Sequence, residues 1–219
     1  MPLEPATYPA RSPLVNDVLE GQLKQLFARL SAPVEFTCIL GGDDKSAEMA
    51  ALVNHIAGLS GLLSVRFLAP GEDAALDDAL DASLLPATGV GGSRMVFHGV
   101  PGGKEITAFA SAILTAGGAA KALDKFTLKD IARIARPMRL QICVSLGCAH
   151  CSQLVANAHR VAWENPGVTA HMIDANLYPG LVAALDIQRV PLTVIDGKAK
   201  FPGGKTMAEL TTLLAKYKG

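Results

Sequence analysis

The stretch Gly147-Cys148-Ala149-His150-Cys151-Ser152 determines how the rest of this chain is interpreted. Residues 140–144 before it are apolar and β-branched, which is typical of a buried strand, and the residues after it place apolar side chains at helical spacing. The two cysteines are therefore predicted to lie where a strand gives way to the first turn of a helix. Free N–H groups there stabilise a thiolate, and thiol pKa values in such motifs fall to roughly 3.5–7. This pattern predicts dithiol/disulfide exchange, with Cys148 as nucleophile and Cys151 as resolving thiol.

Composition and charge exclude several classes of protein. The 219 residues are half hydrophobic and carry 20 basic and 20 acidic side chains, so electrostatics give no reason to expect a nucleic-acid partner or an anionic membrane surface. No apolar run reaches the ~18 residues of a membrane span, and the N-terminal segment lacks the features of a secretory signal. We therefore expect a cytoplasmic protein, a compartment in which disulfides are usually transient and catalytic.

The other two cysteines carry a different prediction. Cys38 and Cys143 stand among apolar strand residues and are expected to be buried small hydrophobes. A structural disulfide or half of a zinc site is the alternative interpretation of Cys148 and Cys151. Zinc requires about four Cys or His ligands, and no second pair stands at a suitable spacing. We expect no metal site.

An internal repeat organises the chain. A shift of 105 residues (143 − 38) places Cys38 on Cys143 and aligns the flanking helices, strands and turns without a gap. This register indicates a duplication, with a flexible tail over 1–15, a first unit over 16–118 and a second unit over 119–219. In each unit strands alternate with helices, which predicts an α/β fold with a mixed central sheet flanked by helices.

The first unit lacks the thiols. At the same shift Asp43 stands in place of Cys148 and Ser46 in place of Cys151. Residues 70–92 show only a weak helical signal, and matching 95–97 to 192–194 places Ser93-Arg94 opposite Val190-Pro191, so the first unit is predicted to lack that proline as well. We expect this unit to support, shield or tune the second unit, or to supply a docking surface.

The motifs together resemble the thioredoxin/glutaredoxin superfamily. They are the Cys-x-x-Cys turn, the stretch 187–191 with Val190-Pro191 before a strand, and Gly203-Gly204 before the last helix. Two tandem thioredoxin-like units, the first without its cysteines, are similar to the N-terminal domain of the flavoprotein subunit of bacterial alkyl hydroperoxide reductase. The resemblance covers residues 16–217. It departs between the cysteines, where Ala-His replaces the His-Asn typical of those relatives.

The resemblance implies a role in electron transfer. A dithiol of this family passes electrons to a peroxiredoxin and receives them from a flavoprotein disulfide reductase that binds FAD and NADH. No G-x-G-x-x-G follows a strand in this chain, so we expect no bound cofactor here and assign FAD and NADH to a partner reductase.

The resemblance also implies roles for four further residues. It places Glu105 of the first unit beside the disulfide, where a carboxylate can accept the proton of Cys151; the alternative is a first-turn helix acid favoured by the helix dipole. It implies a cis Val190–Pro191 bond that presents Val190 to a substrate segment, against an ordinary strand-start proline. His150 is expected to stabilise the Cys148 thiolate, although it can also be a simple exposed residue at a helix start.

Two further functions compete with the electron shuttle. One is a general protein disulfide oxidoreductase or isomerase acting on protein substrates, as in the two-unit archaeal enzymes, which usually keep a Cys-x-x-Cys in each unit. His150 favours it, because protein disulfide isomerase also carries His before its second cysteine. The other is a non-enzymatic binding module, against which the intact cysteine pair argues.

Overall fold

The two predicted units each contribute four strands to one sheet, in a computed structural model that describes residues 8–218. The first unit contains α1 (Asp17–Phe27), β1 (Val34–Ile39), α2 (Asp44–Ala57), β2 (Leu63–Leu68), α3 (Ala74–Leu80), β3 (Ala87–Val90), β4 (Met95–His98) and α4 (Glu105–Ala116). The second unit contains α5 (Lys125–Ala132), β5 (Met138–Val144), α6 (Cys151–Glu164), β6 (Val168–Asp174), α7 (Pro179–Ala184), β7 (Leu192–Ile195), β8 (Ala199–Pro202) and α8 (Met207–Lys216).

The strand order shows the duplication directly. It runs β2-β1-β3-β4-β6-β5-β7-β8, and each half has one parallel pair followed by two antiparallel pairs. The halves meet where β4 pairs in parallel with β6, in a register that sets Phe97 beside Met172. The predicted α/β fold with mixed sheets is confirmed, and the two sheets form one continuous layer. The division into units at 118 and 119 remains an interpretation of the repeat.

Helices cover both faces of this sheet unequally. One large hydrophobic core extends through both units and includes residues of α1, α2, α4, α5, α6 and α8. Two smaller clusters fill the opposite face, one against α3 and the other against α7. Alternate strand residues therefore point to different cores, as the side-chain period of a strand requires: Cys38 joins the large core, whereas Ile39 joins a small one.

Strand β3 differs from the sequence prediction. Residues 70–92 showed only a weak helical signal, which α3 accounts for in part, but Ala87–Val90 form a strand between β1 and β4. All four residues are buried. Gly89 is required there, because a Cβ on it would lie 2.4 Å from the carbonyl oxygen of Gly92. Ala and Gly are depleted in strands generally, so the local sequence concealed this strand.

The prediction that the first unit lacks the proline of Val190-Pro191 is wrong. Strand β3, rather than β4, is the counterpart of β7, and Pro86 stands directly before it. The 105-residue shift also takes Pro86 to Pro191 (191 − 86 = 105), and both the Leu85–Pro86 and the Val190–Pro191 bonds are cis. The error arose from matching β4 to β7 instead of keeping the register of the repeat.

Residues 8–15 pack on the first unit, which differs from the flexible tail predicted over 1–15. The backbone N–H of Ser12 donates to Nδ1 of His55 at 3.1 Å, and the ring of Tyr8 lies 4.9 Å from that of Phe67. Val15 is 3% exposed. Apolar contacts and one buried hydrogen bond hold this segment, while residues 1–7 of the predicted tail lie outside the described residues.

Candidate active site

Cys148 and Cys151 form a disulfide at the start of α6. Their Cα atoms are 5.5 Å apart. The backbone N–H of Cys148 donates to the carbonyl oxygen of Ser145 at 2.9 Å, which closes the turn between β5 and the helix. Cys148 is half-buried and Cys151, the first residue of α6, is fully buried. An incoming thiolate or disulfide therefore has access to the sulfur of Cys148 and not to that of Cys151.

His150 immediately precedes α6 and is exposed. It occupies the N-cap position, but its side chain makes no capping hydrogen bond. Gly204 lies beside it: a Cβ on that glycine would be 3.6 Å from Cβ of His150. The imidazole therefore stands at the rim of the site, between the disulfide turn and the loop before α8.

Val190 and Pro191 lie at the same edge of the sheet. Leu192, which follows them, pairs with Cys143 near the end of β5. The carbonyl oxygen of Pro191 accepts from the N–H of Gly203 at 2.9 Å, whereas no hydrogen bond reaches the backbone of Val190 from any of residues 8–218. Val190 thus offers free backbone groups of the kind that an added extended segment pairs with.

The loop before α8 is tied together by Lys205. Its ammonium group donates to three carbonyl oxygens, those of Phe201, Pro202 and Gly203, at 3.0–3.3 Å. The carbonyl oxygen of Lys205 itself accepts from Nδ2 of Asn157 on α6 at 3.0 Å. One side chain therefore orders the loop that contacts both His150 and Pro191. Sequence reasoning missed it, because a lysine after a Gly-Gly pair is typical of any solvated loop.

Glu105, the first residue of α4, is fully buried. Neither carboxylate oxygen has a hydrogen-bond partner within residues 8–218. Burial, and secondarily the nearby Asp174, raises the pKa of Glu105 to about 7. A carboxyl group with such a pKa can both accept and release a proton near neutral pH.

Two contacts bring the segment of Glu105 to the disulfide turn. Helix α4 packs along α6, the helix that Cys151 begins. Gly103 approaches the turn so closely that a Cβ on it would lie 3.1 Å from the carbonyl oxygen of Leu146. No hydrogen bond links Glu105 to either cysteine, so the structure places the acid in the wall beside the disulfide rather than on it.

Asp174 is a second buried acid that sequence reasoning missed. It ends β6, where it pairs in register with Val144 at the end of β5, and it is 3% exposed. Burial raises its pKa, although hydrogen bonds from Asn176 oppose that effect. Asp174 also lines a cavity of about 100 Å³ together with Gly103 and Leu146. Its position at the carboxyl end of a strand beside β5 was the available signal.

In the first unit a helix cap replaces the disulfide. The carboxylate of Asp43 accepts from the backbone N–H of Ser46 at 2.8 Å and from its hydroxyl at 3.3 Å, and the Ser46 hydroxyl accepts from the N–H of Gly41. These bonds satisfy the start of α2 as a side-chain cap does. The scaffold survives in this unit without its redox chemistry.

The remaining cysteines are buried, as predicted. Burial raises the pKa of both Cys38 and Cys143 to about 12, so neither supplies a thiolate. Within residues 8–218 no group of three or more His, Cys, Asp or Glu side chains is arranged to hold a metal ion. None of the helices in that range is both long and apolar enough to cross a membrane.

Comparisons with known proteins agree with this architecture. Residues 138–215 match the family model of a thioredoxin domain. The flavoprotein subunit of alkyl hydroperoxide reductase (AhpF) from Staphylococcus epidermidis is 29% identical over 212 residues, which cover 92% of this chain and 38% of the relative. The NTD_N/C domain of AhpF from Enterococcus faecalis superposes with a TM-score of 0.84 at 28% identity, covering 91% of this chain and 99% of that chain. A protein disulfide oxidoreductase from Aeropyrum pernix shares the fold, with a TM-score of 0.82 at 18% identity and coverage of 92% of both chains.

The fold and the Cys148–Cys151 pair define a thioredoxin-like thiol–disulfide oxidoreductase. Within that class the chain is similar in sequence and structure to the N-terminal domain of AhpF, which confirms the resemblance predicted from the motifs. The chain spans 38% of the length of the Staphylococcus relative.

Proposed function

We propose that this protein carries electrons from a flavoprotein disulfide reductase to a peroxiredoxin through the Cys148–Cys151 pair. The observation that carries the proposal is the pairing of a half-buried Cys148 with a fully buried Cys151 at a helix start. The similarity to AhpF supports the choice of partners. FAD and NADH belong in this scheme to the partner reductase, and the setting is the cytoplasm.

The reaction divides between the two sulfurs. In the reduced protein the Cys148 thiolate attacks the disulfide of the acceptor, forms a mixed disulfide and displaces one acceptor thiolate. Cys151 then loses its proton and attacks the sulfur of Cys148, which releases the second acceptor thiolate and closes the intramolecular disulfide. Two electrons pass to the acceptor, which takes up protons on its thiolates. Reduction by the reductase reverses these steps.

We assign the remaining predicted site residues to this cycle. Glu105 takes the proton that Cys151 releases, a role supported by its burial and by its pKa of about 7. The exposed His150 stabilises the Cys148 thiolate when it is protonated. Val190 pairs with the acceptor segment through its free backbone, and Pro191 anchors that position through Gly203.

A second candidate is a general protein disulfide oxidoreductase or isomerase. The observation that favours it is the exposed position of His150 next to the disulfide turn. The loss of both cysteines from the first unit disfavours it, because Asp43 and Ser46 form a helix cap there.

Stopped-flow electron transfer separates the two candidates. The protein is reduced, desalted and mixed with an oxidised two-cysteine peroxiredoxin, and in parallel with insulin and with scrambled ribonuclease. Faster oxidation by the peroxiredoxin supports the shuttle, and faster oxidation by insulin or ribonuclease supports the alternative. A Cys148→Ser variant is expected to be inactive with every acceptor, and an active variant would refute the assignment. A Cys151→Ser variant is expected to accumulate the mixed disulfide.

A further inference from the structure

The first unit retains the backbone frame of an acceptor-binding position. Leu85 and Pro86 stand before β3 as Val190 and Pro191 stand before β7. The N–H of Gly99 donates to the carbonyl oxygen of Pro86 at 3.1 Å, which repeats the bond that Pro191 accepts in the second unit. The two positions are therefore equivalent in their backbone surroundings.

The two positions differ in what occupies them. The backbone of Val190 makes no hydrogen bond with residues 8–218. The carbonyl oxygen of Leu85, by contrast, accepts from the hydroxyl of Tyr178 at 3.0 Å. Tyr178 belongs to the second unit, where it precedes α7. A side chain of one unit thus satisfies the backbone group that, in the other unit, is left for a substrate.

A second contact joins the same two segments. A Cβ on Gly99 would lie 2.8 Å from Cδ1 of Leu177 and 3.2 Å from Cβ of Asp174. The backbone after β4 is thus in direct van der Waals contact with the loop after β6, and only a glycine permits that approach. Leu177 and Tyr178 therefore engage the first unit at two points, one apolar and one polar.

We infer that Leu177 and Tyr178 occupy the disused substrate position of the first unit, and that this docking holds the loop that carries Glu105 against the active site. Residues 99–103 lead from the docking point to α4. At one end Gly99 contacts Leu177, and at the other end Gly103 contacts the carbonyl oxygen of Leu146, two residues before Cys148. Tyr178 is in this view a positioning residue, and its effect on catalysis rests on the role proposed for Glu105.

The charged groups around the docking point keep the Tyr178 hydroxyl in its donor form. Burial raises the pKa of Tyr178, and the carboxylates of Asp174 and Asp43 raise it further. Asp174 also faces Glu105 and Lys45. The hydroxyl therefore remains protonated throughout the neutral range, and any change in the titration of Glu105 on loss of the docking comes from altered hydration or geometry.

The test follows the carboxyl group of Glu105 directly. Oxidised full-length protein is prepared with ¹³C-labelled glutamate, and the Glu105 carboxyl signal is assigned by its loss in Glu105→Gln. Its titration midpoint is then compared between the protein, Tyr178→Phe and Leu177→Ala, with Tyr217→Phe as a matched control outside the docking point. Circular dichroism establishes that each variant is folded.

The protein and Tyr217→Phe are expected to titrate near pH 7. In Tyr178→Phe and Leu177→Ala, water gains access to Glu105 and the midpoint is expected to fall by roughly half a pH unit or more. Unchanged midpoints in both folded variants would overturn the inference. Failure of the proposed function has a different signature, namely no electron transfer from the reduced protein to any acceptor while these NMR shifts persist.

Discussion

His98 and His171 face one another across the strand pair that joins the two units, with Nε2 of His98 lying 2.9 Å from Nδ1 of His171. Nδ1 of His98 lies 2.7 Å from the carbonyl oxygen of Leu84. These distances fit a chain of two neutral rings, in which His98 donates to Leu84 and accepts from His171. Burial lowers the pKa of His98 to about 4, and burial followed by the charge of its neighbour lowers that of His171 to about 2.

This histidine pair predicts acid sensitivity of the junction. Both rings have folded-state pKa values below the ordinary value of about 6.5, so the unfolded chain binds more protons and stability falls as pH decreases from about 6.5 towards 4. Between pH 7 and pH 4.5 we expect the pair to cost on the order of 2 kcal/mol or more of unfolding free energy. Urea unfolding at both pH values measures this loss. In His171→Gln the loss should be smaller, and an identical loss in the variant would contradict the explanation.

Replacement of Glu105 predicts a pH-dependent loss of rate. Above its pKa of about 7 the carboxylate can accept the proton of Cys151, whereas below that pKa it is already protonated. General-base catalysis typically contributes about 10²–10⁴-fold, so we expect Glu105→Gln to be roughly tenfold slower or more at pH 8. At pH 5.5 the two proteins should converge. Stopped-flow oxidation across this range is the measurement, and parallel profiles would remove Glu105 from the mechanism.

The position of His150 predicts a raised reduction potential. A cationic imidazole next to the Cys148 thiolate stabilises the reduced form, so the potential is expected to lie above the ~−270 mV of thioredoxin. We expect His150→Ala to lower it by roughly 15–30 mV at pH 6, or about three- to tenfold in the exchange constant. The difference should vanish at pH 8.5, where the imidazole is neutral. Equilibration in glutathione buffers measures both values, and a potential at or below that of thioredoxin would refute this assignment.

The lysine bridge over the loop before α8 predicts a defect specific to protein acceptors. Lys205→Met removes three hydrogen bonds to the carbonyl oxygens of residues 201–203, which frees the loop beside Pro191 and His150. We expect KM for a protein disulfide to rise by roughly three- to tenfold, as loss of about 1 kcal/mol of positioning implies. The rate with a small aromatic disulfide should be unchanged. Lys200→Met, exposed on β8, serves as the control, and equal losses with both acceptors would contradict a docking role.

Much of the fold follows from local pattern and from the repeat. The strand before Cys148, the helix after it and the cap of the corresponding helix at Asp43 all arise from neighbouring residues, and the structure contains each of them. Strand β3 does not arise in this way, because its conformation depends on pairing with β1 and β4 on either side. Such tertiary pairing overrides the weak strand preference of Ala87 and Gly89.

The site was predictable in its chemistry and less so in its surroundings. Cys148, Cys151 and Pro191 followed from motifs, and Glu105 followed from resemblance. The contributions of Tyr178 and Asp174 did not, because each acts at the junction of the two units, across a strand pairing that joins β4 to β6. No sequence periodicity within either unit encodes that pairing.

The pairing of β4 with β6 makes the molecule a single plate rather than two beads on a string. Its sulfurs cannot swing on an internal hinge between an electron donor and an electron acceptor. Any journey from one docking event to the next must be made by the entire body turning at once, so the freedom needed for shuttling has to reside in whatever tethers it or in diffusion.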